Sequence, residues 1–224
     1  MKPHDSVALT DFVSYASPEM IARAASFHES MKRRHTIRYF SREKVPQEVV
    51  ESAVKTAGLA PSGANHQPWH FSVIASPQVK QTIRIKAEEE ERAFYDGKAG
   101  QEWLDALDPL GTDENKEFLE TAPYLIAVFA QRRGGVEVSD QKKNYYINES
   151  VGIACGFLIA ALHQAGLGIL THTPNPMSFL NDVCKRPNNE KAYLLLVVGK
   201  PADNATVPTH ATIKKPFQDI ASFF

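Results

Sequence analysis

The stretch from Tyr146 to Ala165 constrains the fold most, because it is apolar on nearly every side of a helix. Its most apolar part, Val151 to Leu162, is about twelve residues long, whereas a membrane-spanning helix needs roughly 20. Gly166 follows directly, and glycine is a common residue at the end of a helix. The sequence therefore predicts a helix buried at the centre of a globular domain.

Other helical and strand-like segments alternate along the chain. Pro18, Pro46 and Pro77 each begin a helical pattern, as proline is favoured in a first turn. Apolar runs predict four strands, at Trp69–Ile74, Tyr124–Phe129, Leu167–Leu170 and Tyr193–Val198. This alternation indicates a mixed α/β or α+β domain.

Length, charge and cysteine content narrow the class of protein. A chain of 224 residues suits one substantial domain, and a net charge of −1 gives no overall attraction for nucleic acid or an anionic membrane. Cys155 and Cys184 are too few for a disulfide scaffold or a zinc site. The first residues lack an apolar segment typical of secretion. We therefore expect a soluble cytoplasmic protein without nucleic-acid or membrane partners.

The common catalytic motifs are missing from the sequence. It has no Gly-x-Gly-x-x-Gly after a strand, no phosphate loop and no Gly-x-Ser-x-Gly elbow. His66 and His70 have the spacing of helical metal ligands, but Pro68 between them breaks the helix that this requires. We therefore expect no bound metal.

Two polar segments remain as candidate binding sites. The run from Arg33 to Arg38 supplies guanidinium groups and a hydroxyl, which together suit a phosphate. The loop from Pro61 to Gln67 supplies Ser, Gly, Asn and Gln that suit the polar edge of a ring. Taken separately, these segments are better explained as a basic helix end and an ordinary surface loop.

The order of the two segments resembles the nitroreductase family of FMN enzymes. The resemblance rests on Arg-Arg-x-x-x-Arg, on Ala60–Phe71, on Thr171–Pro174 and on Val198–Pro201, and it covers nearly all of the chain from about Met31. It implies an α+β nitroreductase-like fold, with a mixed central sheet flanked by helices. It also implies a domain-swapped homodimer with an exchanged C-terminal tail and FMN at the interface. The unusually apolar tail Pro216–Phe224 independently favours a partner surface.

The resemblance also implies which residues bind FMN. Arg34, His35, Thr36 and Arg38 would hold the phosphate and ribityl chain, and Lys214 would add positive charge. The flavin ring would lie between two further sets of residues. These are Pro61, Ser62 and Gly63 on one side and Thr171, His172 and Thr173 on the other.

The acidic run Glu88–Glu91 has two interpretations. Four consecutive glutamates usually form a solvated helix face. However, Glu91 and Tyr95 are four apart and so lie side by side on a helix, and Gly97 and Gly100 then interrupt the helix as a hinged lid requires. We predict a single domain over residues 1–224 with a lid at about 88–118, and we expect Glu88, Glu89 and Glu90 to be surface residues.

Within the family, this lid resembles that of the members that remove halogen from halotyrosines. The resemblance implies that Glu91 pairs with the substrate ammonium, Lys116 with its carboxylate, and Tyr95 with the same zwitterion. The Ala64 N–H would bind the phenolate, and the Thr173 hydroxyl near flavin N5 would favour one-electron steps. The implied reaction is FMN-dependent reductive dehalogenation, with NAD(P)H as reductant directly or through a reductase. The alternatives are a general nitroreductase or quinone reductase, and a non-catalytic binder of flavin or aromatic amino acids.

Overall fold

The computed structural model describes residues 5–137 and 139–224, and contacts divide the chain into two compact units. The first unit ends at Arg34 and contains helix α1, Ser17–Lys32. Pro18 lies in the first turn of α1, as the sequence predicts, and Arg23 pairs with Glu19 at 2.9 Å one turn earlier. The helix at this position is therefore confirmed.

The second unit, residues 35–224, combines helices with one main sheet. Its helices are α2 (Gln47–Ala57), α3 (Pro77–Ala93), α4 (Gln101–Leu107), α5 (Phe118–Thr121), α6 (Ile147–Gln164), α7 (Phe179–Val183) and α8 (Thr209–Thr212). Its strands are β1 (Trp69–Ile74), β2 (Tyr124–Gln131), β3 (Arg133–Gly134), β4 (Lys142–Lys143), β5 (Gly168–His172) and β6 (Glu190–Gly199). Helical turns of other types cover Gly63–Asn65, Phe94–Lys98, Asp108–Leu110 and Phe217–Asp219. The α+β class is confirmed.

The main sheet has the strand order β1-β2-β6-β5, and each of its three strand pairs is antiparallel. Outside these strand pairs, an isolated parallel bridge joins Thr36 to Ile169 at the outer edge of β5. Strand β5 extends further than predicted, because Thr171 and His172 pair with Leu196 and Leu195 of β6. These two polar residues therefore belong to a strand end rather than to a loop.

The core lies on both faces of the sheet. Leu125 and Phe129 of β2 pack with Ile83 of α3 on one face. On the other face, alternate residues of the same strands pack against α2 and α6. Strand β2 is fully buried from Leu125 to Phe129, as its continuous apolar run predicts. Each such Leu or Phe contributes about 1.5–3 kcal/mol on burial, so this layer fixes the frame of the site.

Helix α6 is present as predicted, but it is buried on one side only. Val151, Leu158 and Leu162 are fully buried, whereas Ile153 and Phe157 are 43% and 39% exposed. Helix α6 packs on α2 and on the sheet, and Ile153 and Phe157 lie on its more exposed side. The expectation of burial on nearly every side is therefore wrong for a single chain.

The C-terminal tail is both apolar and exposed to solvent. Phe217 lies against Phe223 at a ring separation of 6.1 Å, yet Phe223 is 86% exposed. Across residues 5–137 and 139–224, no helix combines the length and the apolar character needed to cross a bilayer.

Candidate active site

The segment that the sequence predicts to be a lid, residues 88–118 (the lid below), begins in the last turns of α3 and continues through α4. A π-helical turn over Phe94–Lys98 follows α3, and Gly97 has a φ of 129°, which side chains disfavour. Gly100 then caps α4, and the Trp103 ring of that helix meets the Phe94 ring edge-on at 5.0 Å. The interruption predicted at the two glycines is confirmed.

A cavity of about 200 Å³ lies between the lid and the end of β5. From the lid it is lined by Glu91, Phe94, Tyr95, Trp103, Leu107, Thr112 and Lys116. Phe118, at the end of the lid, also lines it, and from the sheet side it is lined by Arg38, Leu170, Thr171, His172, Thr173 and Asn175. The fold therefore brings three of the four predicted substrate ligands to the same cavity as four of the predicted cofactor ligands.

Glu91 and Lys116 form an ion pair in this cavity. Lys116 Nζ lies 3.1 Å from Glu91 Oε2, and the lysine side chain is only 5% exposed. Lys116 Nζ also donates a hydrogen bond to the Asp113 carbonyl. A charge so deeply buried requires a partner, because an unpaired one costs several kcal/mol. One negative and one positive group thus stand side by side at the wall of the cavity.

Tyr95 occupies the neighbouring position on the same helix face. Its hydroxyl donates to the Thr112 carbonyl at 3.0 Å, and its ring centroid lies 6.0 Å from Lys116 Nζ. Burial and the nearby carboxylate of Glu91 raise the pKa of the Tyr95 phenol. It therefore stays protonated at neutral pH and can donate a hydrogen bond.

Glu88 is not the surface residue that the sequence suggested. Its Oε1 accepts a hydrogen bond from the Lys116 N–H at 2.8 Å and another from Arg84 Nε at 2.7 Å. The physical reason is the position of α3, which runs beside the segment that carries Lys116. The spacing of Glu88 from Glu91 and Tyr95 is helical and would have placed all three on one face. Glu89, by contrast, is exposed as expected.

His172 is buried at the end of β5. Burial, with Lys116 and Arg38 nearby, lowers the pKa of its imidazole from 6.5 to about 3, so the ring is neutral. The Phe118 ring meets it edge-on at 5.7 Å. Among the described residues, none forms a hydrogen bond with its Nε2 atom. A buried polar atom of this kind marks a site where a ligand or water completes the structure.

Arg38 reaches the cavity because its segment runs alongside β5. The Ile37 N–H donates to the Ile169 carbonyl at 3.3 Å, and Thr36 bridges to Ile169, so Arg38 lies near the end of that strand. The guanidinium is half-buried, and burial lowers its pKa. Thr171 is exposed, as is Thr173 beyond the strand. This edge offers a cation and two hydroxyls to an anionic or polar ligand.

The loop from Pro61 to Asn65 forms a tight turn elsewhere in the unit. The Gly63 N–H donates to Ser150 Oγ at 3.2 Å, and a Cβ on Gly63 would lie 2.5 Å from the Tyr145 carbonyl oxygen. Ala64 has a φ of 52°, which is strained for a residue with a side chain. Such strain persists where the surroundings enforce it, often at functional sites.

Several predicted site residues do not meet at this cavity within one chain. Pro61, Ser62, Gly63 and Ala64 lie outside the set of described residues that line it, as do His35, Thr36 and Lys214. Lys214 is exposed, and its Nζ donates to the Ala211 carbonyl at 2.5 Å. Arg34 belongs to the first unit, where its N–H donates to the Met31 carbonyl at 3.1 Å. The phosphate and ring-edge roles of these residues stay predictions.

The antiparallel sheet, its helices and the cavity at the end of β5 agree with the nitroreductase-like fold that the sequence resemblance implies. A model of the nitroreductase family matches residues 31–200, and the chain belongs to that family.

Particular relatives narrow the comparison further. The chain is 51% identical to iodotyrosine deiodinase of Haliscomenobacter hydrossis, over 88% of this chain and 91% of the relative. It is 44% identical to human iodotyrosine deiodinase 1, over 87% of this chain and 68% of the human protein. A solved structure of oxidized iodotyrosine deiodinase bound to FMN and 3-iodo-L-tyrosine is similar with a TM-score of 0.69. That match has 34% identity and covers 79% of this chain and 90% of the other.

Proposed function

We propose that this chain is an FMN-dependent enzyme that reductively dehalogenates halotyrosines, converting iodotyrosine to tyrosine and iodide. The observation that carries the proposal is the buried Glu91–Lys116 pair, which lies beside the Tyr95 hydroxyl in one cavity. Relatives at 51% and 44% identity bear the name iodotyrosine deiodinase, which supports the same activity.

The charges at the cavity wall suit a zwitterion. An amino acid that leaves water needs an opposite charge for each of its two ionised groups. We propose that Glu91 pairs with the ammonium, that Lys116 pairs with the carboxylate, and that Tyr95 donates a hydrogen bond to the same zwitterion. The Glu91–Lys116 ion pair keeps both charges compensated before substrate arrives. Substrate then replaces one ion pair with two.

The donors at the end of β5 suit FMN. Arg38, Thr171 and Thr173 line the cavity, and the Nε2 of His172, which has no hydrogen-bond partner among the described residues, adds a buried polar atom that needs one. We propose that Arg34, His35, Thr36 and Lys214 complete the phosphate and ribityl site. Reduced FMN supplies the two electrons that, with one proton, replace the halide by hydrogen on the ring. The Thr173 hydroxyl is proposed to hydrogen-bond flavin N5.

The remaining ligands are proposed to come from a second copy of the chain. Pro61, Ser62 and Gly63 are predicted to contact the flavin ring, yet they lie outside the cavity of their own chain. A homodimer would join the two sets, and the exposed apolar face of α6 with Ile153 and Phe157 offers a surface for it. We propose that the exposed apolar tail, Pro216–Phe224, is exchanged between the two copies.

The strained Ala64 is proposed to bind the substrate phenolate. No described residue accepts a hydrogen bond from its N–H, and the residue is exposed. A free N–H fixed in a turn is a good donor to an anionic oxygen, because its orientation needs no further ordering. Electrons are proposed to come from NAD(P)H, directly or through a reductase.

The experiment that tests this function compares 3-iodo-L-tyrosine with iodophenol, which lacks the zwitterion. Both are titrated into the FMN-loaded protein while flavin fluorescence is recorded, and anaerobic turnover of diiodotyrosine with dithionite is measured separately. We expect much tighter binding of iodotyrosine, and release of iodide. Equal affinity for the two ligands would overturn the lid assignment. Faster turnover of nitroaromatics without dehalogenation would instead assign a general nitroreductase.

A further inference from the structure

Helix α3 presents one continuous polar face to the segment 112–122. The residues on this face are Lys80, Arg84, Glu88 and Glu91, and Tyr95 follows in the π-helical turn after α3. Their spacings of four, four, three and four keep them in line. Glu91 and Tyr95 are the proposed substrate ligands at the far end. The other three lie outside the set of described residues that line the cavity. Their contacts need a separate explanation.

Lys80 and Arg84, the first two residues of this face, contact the chain just after the lid. Lys80 Nζ donates to the carbonyls of Glu120 and Ala122, at 3.0 and 2.6 Å. Arg84 Nη1 lies 3.4 Å from Glu120 Oε1 and so contacts the same short helix, α5. These bonds fix the end of the segment to the body of the domain.

Glu88 contacts Lys116, the proposed ligand of the substrate carboxylate, through the lysine's backbone N–H. One of its carboxylate oxygens, Oε1, accepts both the Lys116 N–H at 2.8 Å and the Arg84 Nε at 2.7 Å. Burial raises the pKa of the Glu88 carboxyl, but these hydrogen bonds outweigh it and the net shift is downward. The carboxylate is therefore ionised at neutral pH, and hydrogen bonds to a charged acceptor are the stronger kind.

Substrate changes the contacts of Glu91 but not those of Glu88. Without substrate, the Lys116 side chain is held by Glu91 and by the Asp113 carbonyl. When Glu91 turns to the substrate ammonium, part of that support is given up. Glu88 does not contact the cavity and keeps its bond to the Lys116 N–H. The lysine that must meet the substrate carboxylate is then anchored mainly through its backbone.

We propose that Glu88 is a positioning residue that sets the affinity for the amino-acid end of the substrate by fixing Lys116. The proposal rests on the proposed function, since it assumes that Lys116 pairs with the carboxylate of a halotyrosine. It predicts an effect on ligands that carry a carboxylate, and none on the halophenol ring itself. That difference separates positioning from a general role in stability.

The test uses three variants of the full-length, FMN-loaded protein. Glu88→Ala removes the acceptor, and Glu88→Gln keeps a neutral oxygen at the same distance from the Lys116 N–H. Glu89→Ala is the matched control, because Glu89 is the exposed neighbour on the same helix. Affinities for 3-iodo-L-tyrosine and for iodophenol are measured by quenching of flavin fluorescence.

We expect Glu88→Ala to weaken iodotyrosine binding about tenfold and Glu88→Gln about threefold, as lost hydrogen bonds to a charged acceptor do. Iodophenol binding should change less than about twofold in either variant, and Glu89→Ala should match the wild type for both ligands. If Glu88→Ala fails to fold, the ratio of the two affinities in Glu88→Gln decides. Equal losses for both ligands, or no loss for either, would overturn the proposal.

A second readout needs no ligand. Amide hydrogen exchange at Lys116 should be about tenfold faster in Glu88→Ala than in Glu89→Ala, because its N–H loses the acceptor. Unchanged exchange would show that Glu88 does not hold this amide and would overturn the proposal. By contrast, a wild-type protein that binds iodotyrosine no better than iodophenol would contradict the proposed function, whatever the exchange rates show.

Discussion

The lid and the sheet edge form opposite walls of the same cavity, yet they are held by different forces. Helix α4 of the lid has no buried residue, and contacts within the lid include the Glu91–Lys116 ion pair and the edge-on contact between Phe94 and Trp103. At the sheet edge, Ile169 and Leu170 are buried and the backbone pairs with β6. Regions with few buried apolar contacts open at low free energy. We therefore expect the proposed substrate side of the site to open more easily than the proposed cofactor side.

The largest expected effect lies in the lid. Lys116→Ala removes the cation for the substrate carboxylate and leaves Glu91 without its partner, so iodotyrosine affinity should fall by roughly 3–5 kcal/mol, a hundredfold or more. FMN retention should be unchanged, because the sheet edge is untouched. Fluorescence titration and the flavin content of the purified protein measure the two effects. Lys55→Ala, on the exposed side of α2, is the control. Loss of FMN together with substrate would break the division between the two walls.

A substitution in the core should lower the free energy of unfolding rather than act mainly on iodotyrosine affinity. Leu195 is fully buried and pairs with His172 across the sheet, so Leu195→Ala should lower the free energy of unfolding by about 2–5 kcal/mol. The loss comes from buried area and from the cavity left behind. Urea denaturation measures it, with Leu59→Ala as control because Leu59 is 79% exposed. If stability changed little while iodotyrosine affinity collapsed, the sheet edge would not be the rigid wall.

His172 tests the sheet edge through pH. The pKa of its imidazole is about 3 in the folded chain and about 6.5 in the unfolded chain. Between these two pH values the unfolded chain binds a proton at His172 and the folded chain does not. The stability that the neutral, buried His172 contributes is fully present above pH 6.5 and is lost as pH falls towards 3. Between pH 6.5 and 5 the loss is about 2 kcal/mol.

The His172→Thr variant isolates that contribution. Urea denaturation at pH 7 and pH 5 should show a drop in stability that is about 2 kcal/mol smaller in the variant than in the wild type. His70, whose pKa burial also lowers, contributes equally to both proteins and cancels. Identical drops in the two proteins would mean that His172 becomes protonated in the folded state.

The smallest expected effect is at Tyr95. Tyr95→Phe keeps the ring next to Phe94 and removes only the hydroxyl that donates to the Thr112 carbonyl. Iodotyrosine affinity should fall by about 0.5–1.5 kcal/mol, a loss of up to about tenfold. The global free energy of unfolding should stay constant, with Tyr15→Phe in the first unit as control. A large fall in the free energy of unfolding would show that the lid unfolds cooperatively with the core.

The sequence predicted the elements well wherever one force decided them. Trp69–Ile74 is a strand with the predicted bounds, and Pro77 begins α3, because an apolar run and a first-turn proline act locally. The end of β5 was wrong by two residues, since pairing with β6 carries Thr171 and His172 into the strand. That pairing depends on a partner strand about 25 residues away, which local pattern does not specify.

The site was predictable in its residue types and not in all its contacts. Glu91, Tyr95 and Lys116 meet at one cavity, as the resemblance implied. Glu88 was expected at the surface because an acidic run is usually solvated, and it is half-buried instead. The acceptor bonds of Glu88 exist only because α3 lies beside the segment that follows α4. The helical spacing of Glu88 from Glu91 and Tyr95 was the sequence signal that indicates this position.

The acidic helix face, the glycine interruption and the apolar strands were therefore determined by sequence alone, because each depends on neighbouring residues. The tertiary structure decided three further points: that Glu91 and Lys116 neutralise each other, that Glu88 holds the Lys116 amide, and that α6 leaves Ile153 and Phe157 exposed. Each depends on the distance between residues far apart in the chain. Such distances are fixed by the packing of the whole sheet and its helices rather than by any local pattern.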